Sequence, residues 1–211
     1  MANRSTIAVI NQKGGVGKTT TVINLATSLS ILGQNNLIID LDPQGNATTG
    51  LGRSNNDEKN NIYNLLIKKI ELKDVIQKTN FKNLDIVASN VNLSGLEVET
   101  ANDSDRAFVL KQILEREKNN LLSKYDNIFI DCPPSLSLLT IMALVASDEL
   151  LVPLQTEFFA LEGITQLVKT IDRIKVNLNP DLKVRGILLT MFDKRNKLSS
   201  QVDKEARNYF K

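Results

Sequence analysis

Residues 12–20 read Gln-Lys-Gly-Gly-Val-Gly-Lys-Thr-Thr, and the rest of the chain is organised around this stretch. An apolar run at residues 7–10 leads into it, and apolar side chains recur at helical spacing through residues 22–29. Strand, glycine-rich turn and helix in this order are the context of a phosphate-binding loop. The glycines let successive backbone N–H groups point at one anion, and the helix N-terminus adds unpaired N–H groups of its own. The stretch therefore predicts a phosphate site.

Two side chains of this loop suit a triphosphate that is bound together with a metal ion. Lys18 can place its ammonium group on the outer phosphates, and the Thr19 hydroxyl can ligate Mg²⁺. We therefore expect ATP and Mg²⁺ as cofactors. The predicted cofactor-binding residues are Lys13, Gly14, Gly15, Val16, Gly17, Lys18, Thr19 and Thr20.

The loop departs from the common pattern G-x-x-x-x-G-K-[ST] at its start. Gln12 occupies the first glycine position, and a second lysine, Lys13, follows it. A dinucleotide-binding loop is the alternative interpretation, because residues 15–17 begin a G-x-G-x-x-G pattern. Thr20 stands where the third glycine of that pattern is required, so the triphosphate interpretation is favoured.

Composition limits the class of protein. A chain of 211 residues can bury one sizeable core, and we expect a single domain over residues 1–211. The net charge of +2 is not in itself a sign of nucleic-acid binding, so contact with DNA would need a local basic patch. The single cysteine, Cys132, excludes an internal disulfide and fits a reducing cytosol. The chain has no histidine, which excludes histidine catalysis, and no apolar stretch approaches the ~20 residues of a membrane span.

Short apolar runs alternate with helical patterns along the chain. This alternation predicts an α/β fold, a mostly parallel sheet with helices on both faces, in which ligands bind at the carboxyl ends of the strands. We expect Gly33 to end the first helix. The predicted strands are residues 6–11, 37–40, 84–88, 128–131, 150–154 and 184–191, and the predicted helices are residues 18–32, 62–69, 72–76, 106–122, 136–146, 161–178 and 199–210.

Acidic residues follow two of the predicted strands. Asp131 comes directly after an apolar strand, and we assign it to the metal, through water; a loop cap is the alternative role. Asp40 and Asp42 are separated by one residue, so in an extended chain they point to opposite sides. One can face the Mg²⁺ shell and the other the γ-phosphate and its attacking water. The predicted metal residues are Thr19, Asp40 and Asp131.

Several motifs together resemble one family. Residues 13–20 are similar to the deviant Walker A box of the ParA/MinD ATPases. Asp-Leu-Asp-Pro-Gln-Gly-Asn at residues 40–46 and Ile-Asp-Cys-Pro-Pro-Ser at residues 130–135 resemble the two switch segments of the ParA and Soj partition ATPases, and residues 157–163 and 189–193 match further family segments. The similarity covers nearly the whole chain. It implies a P-loop NTPase-like fold.

The resemblance also implies a reaction cycle. ATP closes a homodimer in which Lys13 contacts the nucleotide of the other subunit, and Gly14 packs at the dimer interface. Asp42 positions water for hydrolysis, so Lys13 and Asp42 are the implied catalytic residues. The closed dimer binds DNA without sequence preference. A ParB-like centromere-binding protein then stimulates a slow hydrolysis that dissolves the dimer. The implied location is the cytoplasm, at the nucleoid and not at the membrane.

DNA contact would be electrostatic and strongly dependent on salt. The best basic cluster is Lys194, Arg195 and Lys197, and Arg195 matches a DNA-contact position of the family. Without the resemblance, such a cluster is more often a solvated loop.

Family members continue beyond the position that corresponds to Lys211. Their remaining part supplies a further strand, a loop near the adenine and more basic contacts, so we expect that portion to be lacking here. Three alternatives stay open: a MinD-like membrane-positioning ATPase, which needs a terminal amphipathic helix; a metabolic enzyme that uses the same loop; and a nucleotide-binding remnant without turnover. An iron–sulfur reductase would need two cysteines per subunit.

Overall fold

A seven-stranded sheet forms the centre of the computed structural model, which describes residues 4–157 and 160–209. The strand order is β3-β4-β2-β5-β1-β6-β7, and neighbours are parallel except for the antiparallel pair β3–β4. The predicted mostly parallel sheet is therefore confirmed. The strands are β1 (Ser5–Val9), β2 (Asn36–Asp40), β3 (Ile76–Lys78), β4 (Leu84–Val87), β5 (Asn127–Asp131), β6 (Glu149–Gln155) and β7 (Lys183–Thr190).

Helices cover both faces of this sheet. One core cluster joins Ile38 and Phe129 to α1 and α2, and the other joins Leu37 and Ile39 to α6, α7 and α8. Both faces are thus buried, which explains why the sequence of β2 is a continuous apolar run. The helices are α1 (Lys18–Ile31), α2 (Asn46–Gly50), α3 (Ile62–Leu66), α4 (Leu72–Val75), α5 (Leu96–Glu99), α6 (Val109–Arg116), α7 (Leu138–Ala146), α8 (Ala160–Asn177) and α9 (Lys197–Tyr209).

Helix α1 ends as the sequence predicts. Gly33 adopts a φ of 91°, and its N–H donates to the carbonyl of Ser30 while the Gln34 N–H donates to Leu29. This paired arrangement satisfies carbonyls that the end of a helix leaves free, and it needs a residue that tolerates positive φ. Within the two described ranges, none of the helices is both long and apolar enough to cross a membrane.

The single helix predicted over residues 106–122 is wrong. Only Val109–Arg116 is α-helical, and short 3₁₀ turns flank it at Arg106–Phe108 and Leu121–Lys124. The Arg4 guanidinium donates to the carbonyls of Lys118 and Leu122 at 3.0 and 3.2 Å. These carbonyls therefore accept hydrogen bonds from a side chain that is distant in the sequence, and the backbone turns there instead of continuing the helix.

The helix predicted over residues 72–76 is one residue too long at its end. Ile76 begins β3, a three-residue edge strand that pairs antiparallel with β4 and that the sequence analysis missed. A strand of this length gives no readable period. Two predictions extend beyond the described residues: the family segment 157–163 includes residues 158 and 159, and the last predicted helix includes Phe210, all of which lie outside them.

The strand order brings the predicted site residues to one edge of the sheet. Asp131 at the end of β5 lies opposite Asp40 at the end of β2 on one side and opposite Val9 at the end of β1 on the other. The glycine-rich loop follows β1. The loop and the two aspartates therefore meet at the carboxyl edge, as expected for a ligand site in an open α/β sheet.

Candidate functional site

The loop between β1 and α1 is held open by two glycines and one side chain. Gly15 and Gly17 adopt φ values of 74° and 89°, a left-handed conformation that favours glycine. The Asn11 side chain donates to the carbonyl of Pro153 at 2.7 Å, and its oxygen accepts the N–H of Lys13 at 3.0 Å. The start of the loop is thus attached to β6, and the left-handed glycines turn the backbone into the N-terminus of α1.

This loop forms one wall of a cleft of about 660 Å³. Asp42 and Gln44 line the opposite side, and Pro134 and Met191 complete it. Six of the eight predicted cofactor-binding residues line the cleft, namely Gly14, Gly15, Gly17, Lys18, Thr19 and Thr20. Val16 instead buries its side chain, and Lys13 lies outside the lining.

The ammonium groups of both lysines in the loop bind to other groups of this chain. The Lys18 ammonium group donates to the carbonyl of Lys13 at 3.0 Å. Burial lowers the pKa of Lys18, and Asp131 and Asp42 oppose this shift. The ammonium group of Lys13 forms an ion pair with Glu157, two residues beyond the end of β6. A phosphate that enters the cleft therefore competes with a backbone carbonyl for Lys18.

Asp131 is a buried carboxylate without ordinary partners. Its exposed fraction is 0%, and neither oxygen has a hydrogen bond of ordinary geometry within the described chain. Burial raises the pKa of Asp131 to about 8; the Asp40 carboxylate adds to the rise, and the Thr19 hydroxyl and Lys18 oppose it. The buried carboxyl group is therefore costly to ionise, and it keeps its proton near neutral pH unless a cation binds beside it.

The environment of Asp131 fits a magnesium ion bound together with a nucleotide. Across residues 4–157 and 160–209, no group of three or more cysteine or acidic residues could hold a metal by itself. Mg²⁺ commonly binds to one or two carboxylates and completes its shell with water and substrate phosphates. One unpaired carboxylate and the neighbouring Thr19 hydroxyl match that requirement.

Asp40 has a different environment, although it too is fully buried. One of its oxygens accepts the backbone N–H and the hydroxyl of Thr48, at 2.8 and 2.7 Å, and the other accepts the N–H of Asp42 at 3.2 Å. Burial raises the pKa of Asp40 to about 6, and these hydrogen bonds oppose the rise. Its assignment to the metal stays a prediction, and the contacts give Asp40 a second role in anchoring α2.

Asp42 stands between the cleft and the turn that follows β2. Its side chain accepts the N–H of Gln44 at 3.0 Å, and its carbonyl accepts the Ser89 hydroxyl at 2.7 Å. Sequence reasoning missed Ser89 and Thr48, whose hydroxyl groups donate to Asp42 and Asp40 and so hold the segment that follows β2. The available signal was weak: Ser89 lies just beyond the carboxyl end of β4, where ligand-side residues are expected.

The predicted basic cluster comes just after the carboxyl end of β7, on the same edge of the sheet as the cleft. Lys194 and Arg195 lie on the connection between β7 and α9, and Lys197 begins α9. The guanidinium of Arg195 makes two hydrogen bonds with Asp193, at 3.1 and 2.8 Å, yet its side chain is 91% exposed. The cluster is therefore accessible, with its central arginine paired to an acid of its own loop.

The sheet order, the loop and the buried strand-end aspartate together define a P-loop NTPase-like protein. A family model described as an AAA domain matches residues 4–184. The structure of cobyrinic acid a,c-diamide synthase from Mycobacterium smegmatis with bound ADP and magnesium superposes with a TM-score of 0.90 at 34% identity, over 98% of this chain and 82% of that one. Its ligands agree with the ATP and Mg²⁺ predicted from the sequence.

Relatives in sequence carry more specific names. The chromosome partitioning protein ParA of Caulobacter vibrioides is 47% identical over 204 residues, which are 97% of this chain and 76% of that protein. The sporulation initiation inhibitor protein Soj of Bacillus subtilis is 46% identical over 205 residues, which are 97% of this chain and 79% of that protein. The chain therefore belongs to the ParA/Soj family of chromosome-partitioning proteins, and the resemblance inferred from its motifs is confirmed.

Proposed function

We propose that this chain is a partitioning ATPase that binds ATP and Mg²⁺ in the cleft and hydrolyses ATP slowly. The observation that carries the proposal is the buried carboxyl group of Asp131, which has no hydrogen bond of ordinary geometry among the described residues and lies beside a glycine loop with two lysines. A carboxylate in this state is strongly unfavourable unless a cation joins it. The names of the relatives at 46–47% identity support partitioning as the process that the ATPase serves.

Each site residue has a definite task in this proposal. Backbone N–H groups of the loop surround the phosphates, and Lys18 exchanges the carbonyl of Lys13 for an outer phosphate. The Thr19 hydroxyl and Asp131, the latter through water, hold Mg²⁺, which neutralises charge on the phosphates when it is bound. Asp42 orients the attacking water. Turnover is slow because one carboxylate alone positions that water.

ATP-dependent homodimerisation is the second part of the proposal. Lys13, Gly14 and Gly15 are exposed at the crest of the loop, where a second subunit can reach them. Lys13 must leave Glu157 before it can contact the nucleotide of that subunit. The two side chains are 49% and 29% exposed, and an ion pair that is partly open to solvent is worth about 1 kcal/mol, so the exchange is easily reversed.

The dimer then binds DNA without sequence preference, through Lys194, Arg195 and Lys197. A ParB-like centromere-binding protein stimulates hydrolysis and releases the dimer. These steps place the protein in the cytoplasm, at the nucleoid, and they require that residues 1–211 act as one P-loop domain. Support comes from the family of the relatives and from the position of the basic cluster, which follows the carboxyl edge where the cleft lies.

Sedimentation of the Asp42→Ala variant tests the proposal. This variant should bind ATP and Mg²⁺ but hydrolyse too slowly to leave the closed state, so it should form a dimer that co-sediments with duplex DNA. Lys18→Ala is the control, because without its ammonium group the dimer should not form. A variant that stays monomeric at saturating ATP would refute the proposed cycle and indicate a nucleotide-binding remnant.

A further inference from the structure

The end of β7 touches the phosphate loop directly. The Thr190 hydroxyl donates to the carbonyl of Val16 at 2.9 Å, and a Cβ placed on Gly17 would lie 3.6 Å from the Thr190 methyl group. The Val16 carbonyl and the Gly17 N–H belong to the same trans peptide, so they point in opposite directions. Thr190 therefore fixes the direction of an N–H group in the loop that is expected to contact phosphate.

A second hydroxyl pair holds the chain just after β7. The hydroxyl groups of Thr156 and Ser199 lie 2.9 Å apart and are buried, and the Thr156 hydroxyl is 3.4 Å from the carbonyl of Met191. A hydroxyl carries one hydrogen. The two contacts are satisfied together when Thr156 donates to Met191 and Ser199 donates to Thr156. The end of β6 is thus tied to both ends of the connection between β7 and α9.

The basic segment, defined here as residues 193–197, lies between these two attachment points. Met191 precedes it by two residues, and Ser199 follows it by two residues in the first turn of α9. Asp193 and Arg195 are bound to each other within the segment. Its other described contacts are local, so its position is set mainly by its two ends.

We propose that Thr190, Thr156 and Ser199 are positioning residues that transmit nucleotide occupancy of the phosphate loop to the basic segment. A phosphate that binds the Gly17 N–H acts on the same peptide whose carbonyl Thr190 holds. The peptide becomes ordered, Thr190 and Met191 become ordered with it, and the hydroxyl pair passes the restraint to the start of α9. The inference rests on the proposed function, which supplies ATP as the ligand of the phosphate loop and DNA as the ligand of the basic segment. It explains how ATP binding controls affinity for DNA.

Limited trypsin digestion tests the linkage without DNA, because trypsin cleaves after Lys194, Arg195 and Lys197. We expect saturating ATPγS with Mg²⁺ to slow cleavage in the parent protein about fivefold or more, the lower end of typical coupling between sites. In Thr156→Val and in Ser199→Ala the nucleotide effect should fall below about twofold, although a fluorescent ATP analogue still binds. Thr156→Ser keeps the hydroxyl and should restore the protection.

Thr100→Val is the matched control, because it removes a hydroxyl that donates to the carbonyl of Leu96 in α5, and it should leave the nucleotide effect unchanged. Full protection in Thr156→Val, or no protection in the parent protein with nucleotide bound, would overturn the inference. A parent protein that shows the protection but binds no DNA would keep the linkage and refute the proposed function. The two failures are therefore distinguishable.

Discussion

Asp131→Asn should stabilise the metal-free protein, although Asp131 is assigned to the metal. The parent protein buries this carboxylate completely, and its oxygens have no ordinary hydrogen bonds within the described chain. Asparagine has nearly the same shape and carries no charge. In EDTA the substitution therefore removes a buried carboxyl group that is costly to ionise, and it leaves the packing at the end of β5 almost unchanged.

The pKa of Asp131 sets the size and the sign of the effect. Burial raises it from 3.8 to about 8, so the folded protein holds a proton that the unfolded chain has released. The free energy of unfolding then falls as pH rises from about 4 to 8, by up to about 1.4 kcal/mol per pH unit. Between pH 5 and pH 8 this amounts to about 4 kcal/mol. At pH 8 the whole shift from 3.8 costs the parent protein about 5 kcal/mol, and a buried amide without partners costs about 1–3 kcal/mol, so the net gain at pH 8 is about 2–4 kcal/mol.

Urea unfolding in EDTA at pH 5 and pH 8 measures this difference. The control is Asp85→Asn, which changes another buried aspartate of the same sheet. Asp85 accepts the Tyr125 hydroxyl at 2.6 Å and pairs with Lys78 at 3.0 Å. Because Asp85 is well paired, its substitution should lower stability by about 1–3 kcal/mol. The two variants should therefore shift the unfolding midpoint in opposite directions at pH 8.

In the presence of Mg²⁺ and ATP, the parent protein should be more stable than Asp131→Asn, the reverse of the order expected in EDTA. The parent protein gains stability from ligand binding to the folded state, and the variant gains less because its metal contact is weakened. Equal slopes of stability against pH in the parent protein and in Asp131→Asn would refute the reasoning. So would a variant that is less stable than the parent protein in EDTA at pH 8.

Three further substitutions test the site and its partners. Lys18→Ala should weaken nucleotide binding by at least about tenfold, since a charge-assisted contact worth about 1.5–3 kcal/mol is lost; calorimetric titration measures this, and unchanged affinity would remove Lys18 from the phosphates. Glu157→Gln should free Lys13 and let the ATP-dependent dimer form at an ATP concentration up to about fivefold lower; an unchanged sedimentation midpoint would mean that the pair does not compete. Arg195→Glu should lower DNA affinity and reduce its salt slope by about 1 without affecting dimerisation, and undiminished DNA retention would return Arg195 to the solvated surface.

Features of the fold that depend on neighbouring residues were predictable from the sequence. The continuous apolar run of β2 indicates burial on both faces, and residues 12–20 encode their turn in their own glycines. The rule that ligands bind at the carboxyl ends of parallel strands predicts Asp40 and Asp131 at one edge of the sheet. That these two residues lie directly opposite each other depends on the strand order, which places β2 beside β5 and which the sequence analysis did not predict.

Features that depend on distant partners were not predictable in this way. The predicted helix over residues 106–122 ends at Arg116, and Arg4, more than a hundred residues earlier, binds the carbonyls of Lys118 and Leu122 in the turns that follow. The ion pair between Lys13 and Glu157 likewise joins positions 144 residues apart. Periodicity and propensity describe a segment together with its immediate neighbours, so they contain no information about such contacts.

The charges around the cleft explain why metal and nucleotide should bind together. Lys18 and Lys13 have internal partners in this structure, whereas the buried Asp131 has no hydrogen bond of ordinary geometry among the described residues. Nucleotide without Mg²⁺ would bring negative charge close to Asp131, which is unfavourable once Asp131 is ionised. The affinity of the protein for ATP without Mg²⁺ should therefore fall as pH rises through about 8, where Asp131 ionises. Added Mg²⁺ should remove this dependence on pH. Titration of ATP in EDTA at pH 6.5 and pH 9 measures the effect, and equal affinities would show that the Asp131 carboxylate does not face the phosphates.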